Sequence, residues 1–252
     1  MARQGYRCAV AIVAIVAVQA LGCDAARNTA VVDDATRVLV FSRTVGFRHA
    51  SIPAALETLE AVGRAHDVVV EATEDPTWFS DATLQRFDAV VFLMTTGDVL
   101  DAAQQAAFER FVRAGGGFVG VHSASDTEYG WPWYGGLVGA YFASHPAVQA
   151  ATVLRVDSLH PSALGTPESF VRTDEWYDFA APPGPSVTVL LRVDEASYSG
   201  GGMGAVHPIA WAHTYDGGRA WYTAMGHTEA SYSEPLFVAQ LTGGLLWAAG
   251  RR

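Results

Sequence analysis

The chain has 252 residues, half of them hydrophobic and 17% charged, with a formal net charge of −10. That is enough apolar material for a sizeable core, and the acidic balance without a basic stripe excludes a nucleic-acid partner, because phosphate binding needs clustered cations. All 16 basic residues are arginine, so Schiff-base lysine chemistry and a phosphate-binding P-loop lysine are excluded as well.

Residues 1–22 are expected to form a signal peptide of the lipoprotein type. Arg3 and Arg7 precede an apolar stretch from Cys8 to Leu21 that is too short to span a bilayer comfortably. Ala20-Leu21-Gly22-Cys23 reads as a lipoprotein box with Cys23 lipidated; ordinary cleavage after Ala20 is the alternative. This predicts export to a bacterial cell envelope, with the membrane reached only through the lipid. Residues 23–36 read as a flexible tether and residues 37–250 as one domain. Cys8 and Cys23 are the only cysteines, which leaves the globular body without a disulfide, a thiolate ligand or a cysteine nucleophile.

Arg37–Phe41 is the first buried strand. Ser51 and Pro53 open a helix whose stripe is Ala54, Leu56, Leu59 and Val62. Asp67–Val70 is the second strand, Ser80 caps a short helix to Arg86, and Asp88–Met94 is the third. A helix from Asp101 to Arg113 stops at Gly115, and Phe118–Val121 is the fourth strand. Alternating strands and helices of these lengths build right-handed crossovers and a parallel sheet. Beyond residue 150, strands are expected at Ala151–Val156, Val187–Val193, Pro208–Trp211 and Ala220–Ala224, some of them antiparallel. The last two are joined by a hairpin at Tyr215-Asp216-Gly217-Gly218, and a helix from Pro235 to Ala249 closes the chain. The fold class is α/β: flavodoxin-like, doubly wound, mainly parallel, with helices on both faces and an added antiparallel hairpin region.

In such folds ligands bind beyond the strand carboxyl ends. His49 follows the first strand, His122 ends the fourth, and His227 follows Ala220–Ala224. These three can converge without being adjacent in sequence, and with a carboxylate they suit zinc or a similar divalent ion with a position open for water. Each histidine taken alone reads as a satisfied structural residue, and no His-Glu-x-x-His spacing supports a metal. Asp126 is placed to orient His122. Asp174-Glu175-Trp176-Tyr177-Asp178 combines carboxylates with rings, as carbohydrate sites do, although solvated charges beside core aromatics read equally well. Trp131-Pro132-Trp133-Tyr134 adds aromatic surface near the same mouth or covers a helix. Ser123 lacks the flanking glycines of a serine-nucleophile elbow, Gly200–Gly204 reads as a flexible loop, and His66 and His160 read as surface residues.

Gly46-Phe47-Arg48-His49, Gly120-Val121-His122-Ser123-Ala124, Phe142 with His145-Pro146, Glu175-Trp176-Tyr177, His207-Pro208 with Trp211, and Gly226-His227, in this order, resemble the ThuA-like (trehalose utilisation) family over residues 37 to 250. That family lies in the class I glutamine-amidotransferase-like superfamily. The resemblance implies a flavodoxin-like sheet and a role in bacterial carbohydrate catabolism. It puts His122 where amidotransferases carry the catalytic cysteine, so glutaminase chemistry is excluded. The expectation is a sugar-processing enzyme acting on a disaccharide or keto-glycoside. His122, His49, His227 and Glu175 are its acid/base or metal-ligating groups, and Trp176, Tyr177, Asp126, His207 and His145 bind the small-molecule carbohydrate. A non-catalytic carbohydrate-binding lipoprotein is the alternative, and a plain structural domain a third reading.

Overall fold

The computed structural model describes residues 1, 2, 5 and 35–251. The expected signal segment from Arg3, with Cys8 and the lipid-bearing Cys23, and all but the last two residues of the tether lie outside the body described below. The elements in chain order are β1 (Thr36–Phe41), α1 (Ile52–Ala65), β2 (Val68–Thr73), α2 (Asp81–Leu84), β3 (Ala89–Leu93), α3 (Ala102–Arg113), β4 (Gly117–Val121), α4 (Pro132–Val138), β5 (Phe142–Ser144), β6 (Gln149–Arg155), β7 (Ser169–Asp174), β8 (Asp178–Phe179), β9 (Thr188–Val193), β10 (His207–Tyr215), β11 (Gly218–Thr223) and α5 (Pro235–Ala248). The structure is thus a mixed α/β fold, as expected.

Nine strands form one sheet in the order β2-β1-β3-β4-β11-β10-β9-β6-β7. The first five run parallel. From β11 onward each pair is antiparallel. Every residue of β3 and β4 is buried, which is why they read as continuous apolar runs instead of alternating ones. β11 differs from the expected appendage. It is one arm of a hairpin with β10 and at the same time lies beside β4 inside the parallel sheet.

Phe92 of β3 sits at the centre of an aromatic cluster. Its ring lies 5.6 Å from Phe41, 5.7 Å from Phe79, 5.3 Å from Phe108, 5.6 Å from Phe118 and 5.4 Å from Tyr134. Trp131-Pro132-Trp133-Tyr134 opens α4 and joins this packing: Trp131 and Trp133 stack on each other, and Tyr134 is buried against Phe92. Asp101 caps α3 with a full capping box to Gln104. Gly120 is required in β4, because a Cβ there would lie 2.9 Å from the Tyr222 ring.

β5, β7, β8 and α4 carry no expected strand or helix. In β7 the inward positions alternate as Phe170, Arg172 and Asp174, and the last two form an ion pair at 3.0 Å inside the protein. A buried charge pair reads as polar surface, so the strand's alternation is hidden. Gly200–Gly204 is held down instead of free: Gly202 N donates to Asp178 (2.9 Å) and Met203 N to Glu195 (2.7 Å). His160 is half-buried rather than on the surface, with its ring against Trp247 at 4.8 Å.

Candidate active site at the strand carboxyl ends

β1, β3, β4 and β11 all end on the same side of the sheet. The segments that leave them bring His49, Met94, His122 and His227 into one neighbourhood. His122 leaves β4 with φ at +52°, a left-handed backbone conformation that costs a side-chain-bearing residue about 1–2 kcal/mol. That sharp turn aims the imidazole back across the strand ends, as the nucleophile elbow of hydrolase folds does.

The His122 ring is fully buried and its two nitrogens have distinct roles. Nδ1 donates to the Ala224 carbonyl oxygen at 2.6 Å. This fixes the proton on Nδ1 and leaves Nε2 with a free lone pair in the neutral ring. Around Nε2 lie His49 Nε2 at 3.1 Å, His227 Nδ1 at 3.2 Å, Glu175 Oε2 at 3.4 Å and the Tyr177 hydroxyl, which donates at 2.9 Å. Glu175 Oε2 is also 3.1 Å from His227 Nδ1, and its Oε1 is 3.0 Å from His145 Nδ1.

The residue types of this donor set are ones that could hold a metal ion. His49, His122, His227 and Glu175 each offer one atom, all within 4.8 Å of one another. Ligands about 2.0–2.1 Å from a tetrahedral ion stand about 3.3–3.4 Å apart. Four of the six separations, at 3.1, 3.2, 3.4 and 3.1 Å, are close to those edges.

A cavity of about 310 Å³ opens over the cluster. Phe47, Phe142 and Tyr177 supply aromatic surface, and His49, His145, His227, Glu175 and Asp126 supply polar atoms. Among the described residues no arginine lines it. A larger cavity of about 580 Å³ lies by the opening ends of β3, β4 and β11, around Asp88, Gly116 and Gly217, and holds no histidine among the described residues.

Electrostatics separate the cluster's members. Burial pushes His49 down to about 3, helped by the neighbouring His122 and His227. Burial alone would raise Glu175, but the neighbouring His122 and His227 imidazoles outweigh it and hold the carboxyl well below its usual range. The hydrogen bond to Glu175 raises His227. Burial raises Asp126, opposed by the Tyr129 hydroxyl that donates to it at 2.7 Å.

The two shifted histidines act on stability with opposite signs. His49 takes up a proton more readily unfolded than folded, so stability falls as pH drops below the unfolded value of about 6.5. His227 binds its proton more tightly when folded. Its contribution is complete below about 6.5 and is lost as pH rises through the folded value. Chelator-treated protein is therefore expected to be most stable near pH 6.5, where the two windows meet, and to lose melting temperature from about pH 6.5 to 5. Calorimetry on wild type and His49→Gln checks this, the variant giving a flatter acid limb.

Several expected site residues lie elsewhere. His207 does not face the cavity: it is fully buried, with Nδ1 2.8 Å from Glu195 and Nε2 donating to the Tyr177 carbonyl oxygen at 2.8 Å. It sits behind Tyr177 and holds its backbone. Trp176 is also buried away from the cavity and donates to Gln149 O at 2.9 Å, so the aromatic walls are Phe47 and Phe142 with Tyr177. Asp126 lines the cavity but does not orient His122, whose Nδ1 is taken by Ala224. Trp131 and Trp133 bond to Glu109 and Asp216, not to a sugar platform.

Ser51 stands at the N-cap of α1 as expected but makes no side-chain cap there; it donates its hydroxyl to the His227 carbonyl oxygen at 2.8 Å. Sequence reasoning misses Asp174 as a participant: its carboxylate binds the backbone N–H groups of Glu175, Gly226 and His227. The period-two spacing of Phe170, Arg172 and Asp174 is the sequence signal that points to it.

A family model described as ThuA, trehalose utilisation, matches residues 37–248. Among solved structures, the chain is similar to a ThuA-like protein from Bacteroides uniformis ATCC 8492, with TM-score 0.73 and 23% identity over 84% of this chain and 91% of that one. A ThuA-like protein from Parabacteroides merdae ATCC 43184 matches with TM-score 0.70 and 18% identity over 86% and 91% of the two chains. A cytoplasmic protein from Salmonella typhimurium LT2 matches with TM-score 0.59 and 11% identity over 85% and 98%. At these identities the likenesses establish the fold alone. No curated protein matches the chain.

Proposed function

The chain belongs to the ThuA (trehalose utilisation) family, and from that premise we propose that it is a carbohydrate-processing enzyme acting on a disaccharide or keto-glycoside. The observation that carries the reading is the convergence of His49, His227, Glu175 and Tyr177 on His122 Nε2. His49, His122, His227 and Glu175 would hold a divalent ion such as zinc. When bound, such an ion polarises a carbonyl or hydroxyl oxygen as a Lewis acid.

The chain's own residues supply the rest. Phe47 and Phe142 offer faces on which a sugar ring stacks, and Asp126 accepts from its hydroxyls. A cavity that no arginine lines among the described residues, in a chain without lysine, suits an uncharged sugar better than a phosphorylated one. Glu175 is held ionised and stands as an anionic ligand and hydrogen-bond acceptor beside the cluster. The Tyr177 hydroxyl, raised well above its usual range by burial, stays protonated and can donate to a developing oxyanion. We place the protein in the bacterial cell envelope, exported and anchored through Cys23, on the strength of Arg3, Arg7, the apolar stretch to Leu21 and Ala20-Leu21-Gly22-Cys23.

The test is metal analysis of the full chain after stripping and reloading with zinc, followed by turnover assays on glycosides and 3-keto-glycosides. One equivalent of metal with metal-dependent turnover is expected. Sugar binding without turnover would move the assignment to a carbohydrate-binding protein, and neither metal nor sugar binding would end it.

A further inference from the structure

His227 stands on the loop after β11 and Glu175 just past β7, at opposite sides of the antiparallel extension. Their spacing of 3.1 Å therefore needs a tie between two loops that share no strand pairing. One side chain makes that tie. Asp174 Oδ1 accepts Glu175 N at 2.9 Å and His227 N at 3.1 Å, and Oδ2 accepts Gly226 N at 2.8 Å. The carboxylate is fully buried and does not line the cavity.

Asp174 is itself held from behind. Arg172 Nη2 lies 3.0 Å from Oδ2 and donates to Ser231 Oγ at 2.8 Å. The guanidinium also rests over the Phe237 ring at 4.7 Å, which anchors it to α5. The loop it grips admits little else: Gly226 has φ at +113°, and a Cβ there would lie 2.7 Å from the Tyr232 hydroxyl. With Ser51 on the His227 carbonyl, the backbone of His227 is clamped at both its N–H and its C=O.

We propose that Asp174, backed by Arg172, is the positioning residue that sets the distance between His227 and Glu175, an inference that rests on reading those two as working groups of the site. It touches neither substrate nor ion. Its carboxylate fixes two backbones, and through them the two side chains.

The experiment uses the full chain as wild type and Asp174→Asn. The amide retains one acceptor oxygen but presents a donor to Gly226 N–H and to Arg172. In metal-free protein, imidazole ¹⁵N spectra are expected to show the His227 Nδ1 resonance displaced while those of His160 and His213, which stand outside the cluster, stay in place, a split that a general loss of stability would not produce. Zinc affinity is expected to weaken by about 10–100-fold, the usual effect of losing a group that orients a ligand. An unmoved His227 resonance overturns the proposal whatever the zinc affinity does. If wild type binds no zinc, the metal reading falls, and the His227 resonance still decides the role of Asp174. Should Asp174→Asn fail to fold, Arg172→Gln carries the comparison under the same criterion.

Discussion

On the carbohydrate-processing function proposed above, exchange of His122 for alanine is expected to lower kcat/KM for a glycoside or keto-glycoside by about 10²–10⁴-fold, the range for losing a positioned acid, base or ligand. The size follows from the geometry. His122 Nε2 is the point on which His49, His227, Glu175 and Tyr177 converge, so its removal leaves four groups facing a gap. The same residue carries a conformational penalty, with φ at +52°. A His122→Gly variant should be equally inactive yet more stable than His122→Ala by about 1 kcal/mol, the strain relieved less the entropy of an unfolded glycine. Steady-state kinetics beside urea unfolding of both variants checks the pair. Retention of more than about a tenth of wild-type kcat/KM in His122→Ala would remove His122 from the mechanism.

The largest effect on stability is expected at Phe92. It is fully buried and its ring meets five others, so truncation to alanine removes the centre of a cluster that β1, β3, β4, α3 and α4 share. Phe→Ala in such a place costs about 3–5 kcal/mol. In a domain of this size that lowers the melting temperature by roughly 2–4 °C per kcal/mol. Phe92→Leu keeps most of the volume and should cost clearly less. Equilibrium denaturation measures both, and a loss below about 1.5 kcal/mol for the alanine would mean that the neighbours close the gap.

The parallel half of the fold was legible because strands covered on both faces are unbroken apolar runs: Arg37–Phe41, Asp88–Met94 and Phe118–Val121 announce β1, β3 and β4. Spacing rules also placed α3, through Asp101 and Gln104. The antiparallel half was harder to read, because Arg172 and Asp174 neutralise each other inside the protein and disguise β7. At the site, residues at strand ends could be named in advance, and His49, His122, His227 and Glu175 do meet. What sequence could not resolve was which side of a residue faces the cavity. Tyr177 turns toward His122 and Trp176 away from it, since neighbours in extended chain point to opposite faces. His207 carries the same motif chemistry, but it belongs to the layer behind Tyr177.

β11 joins β4 across a separation of about one hundred residues of chain, from Gly117–Val121 to Gly218–Thr223. The central pairing of the sheet therefore waits for the last part of the polypeptide, and its loop-closure cost precedes any gain. Until then β4 keeps an open edge of wholly buried type, an aggregation hazard during synthesis. His227, which follows β11 on the next loop, reaches the cluster only after that edge is closed. Assembly of the cluster is thereby tied to the end of folding: a chain whose sheet is still open has not brought its four groups together.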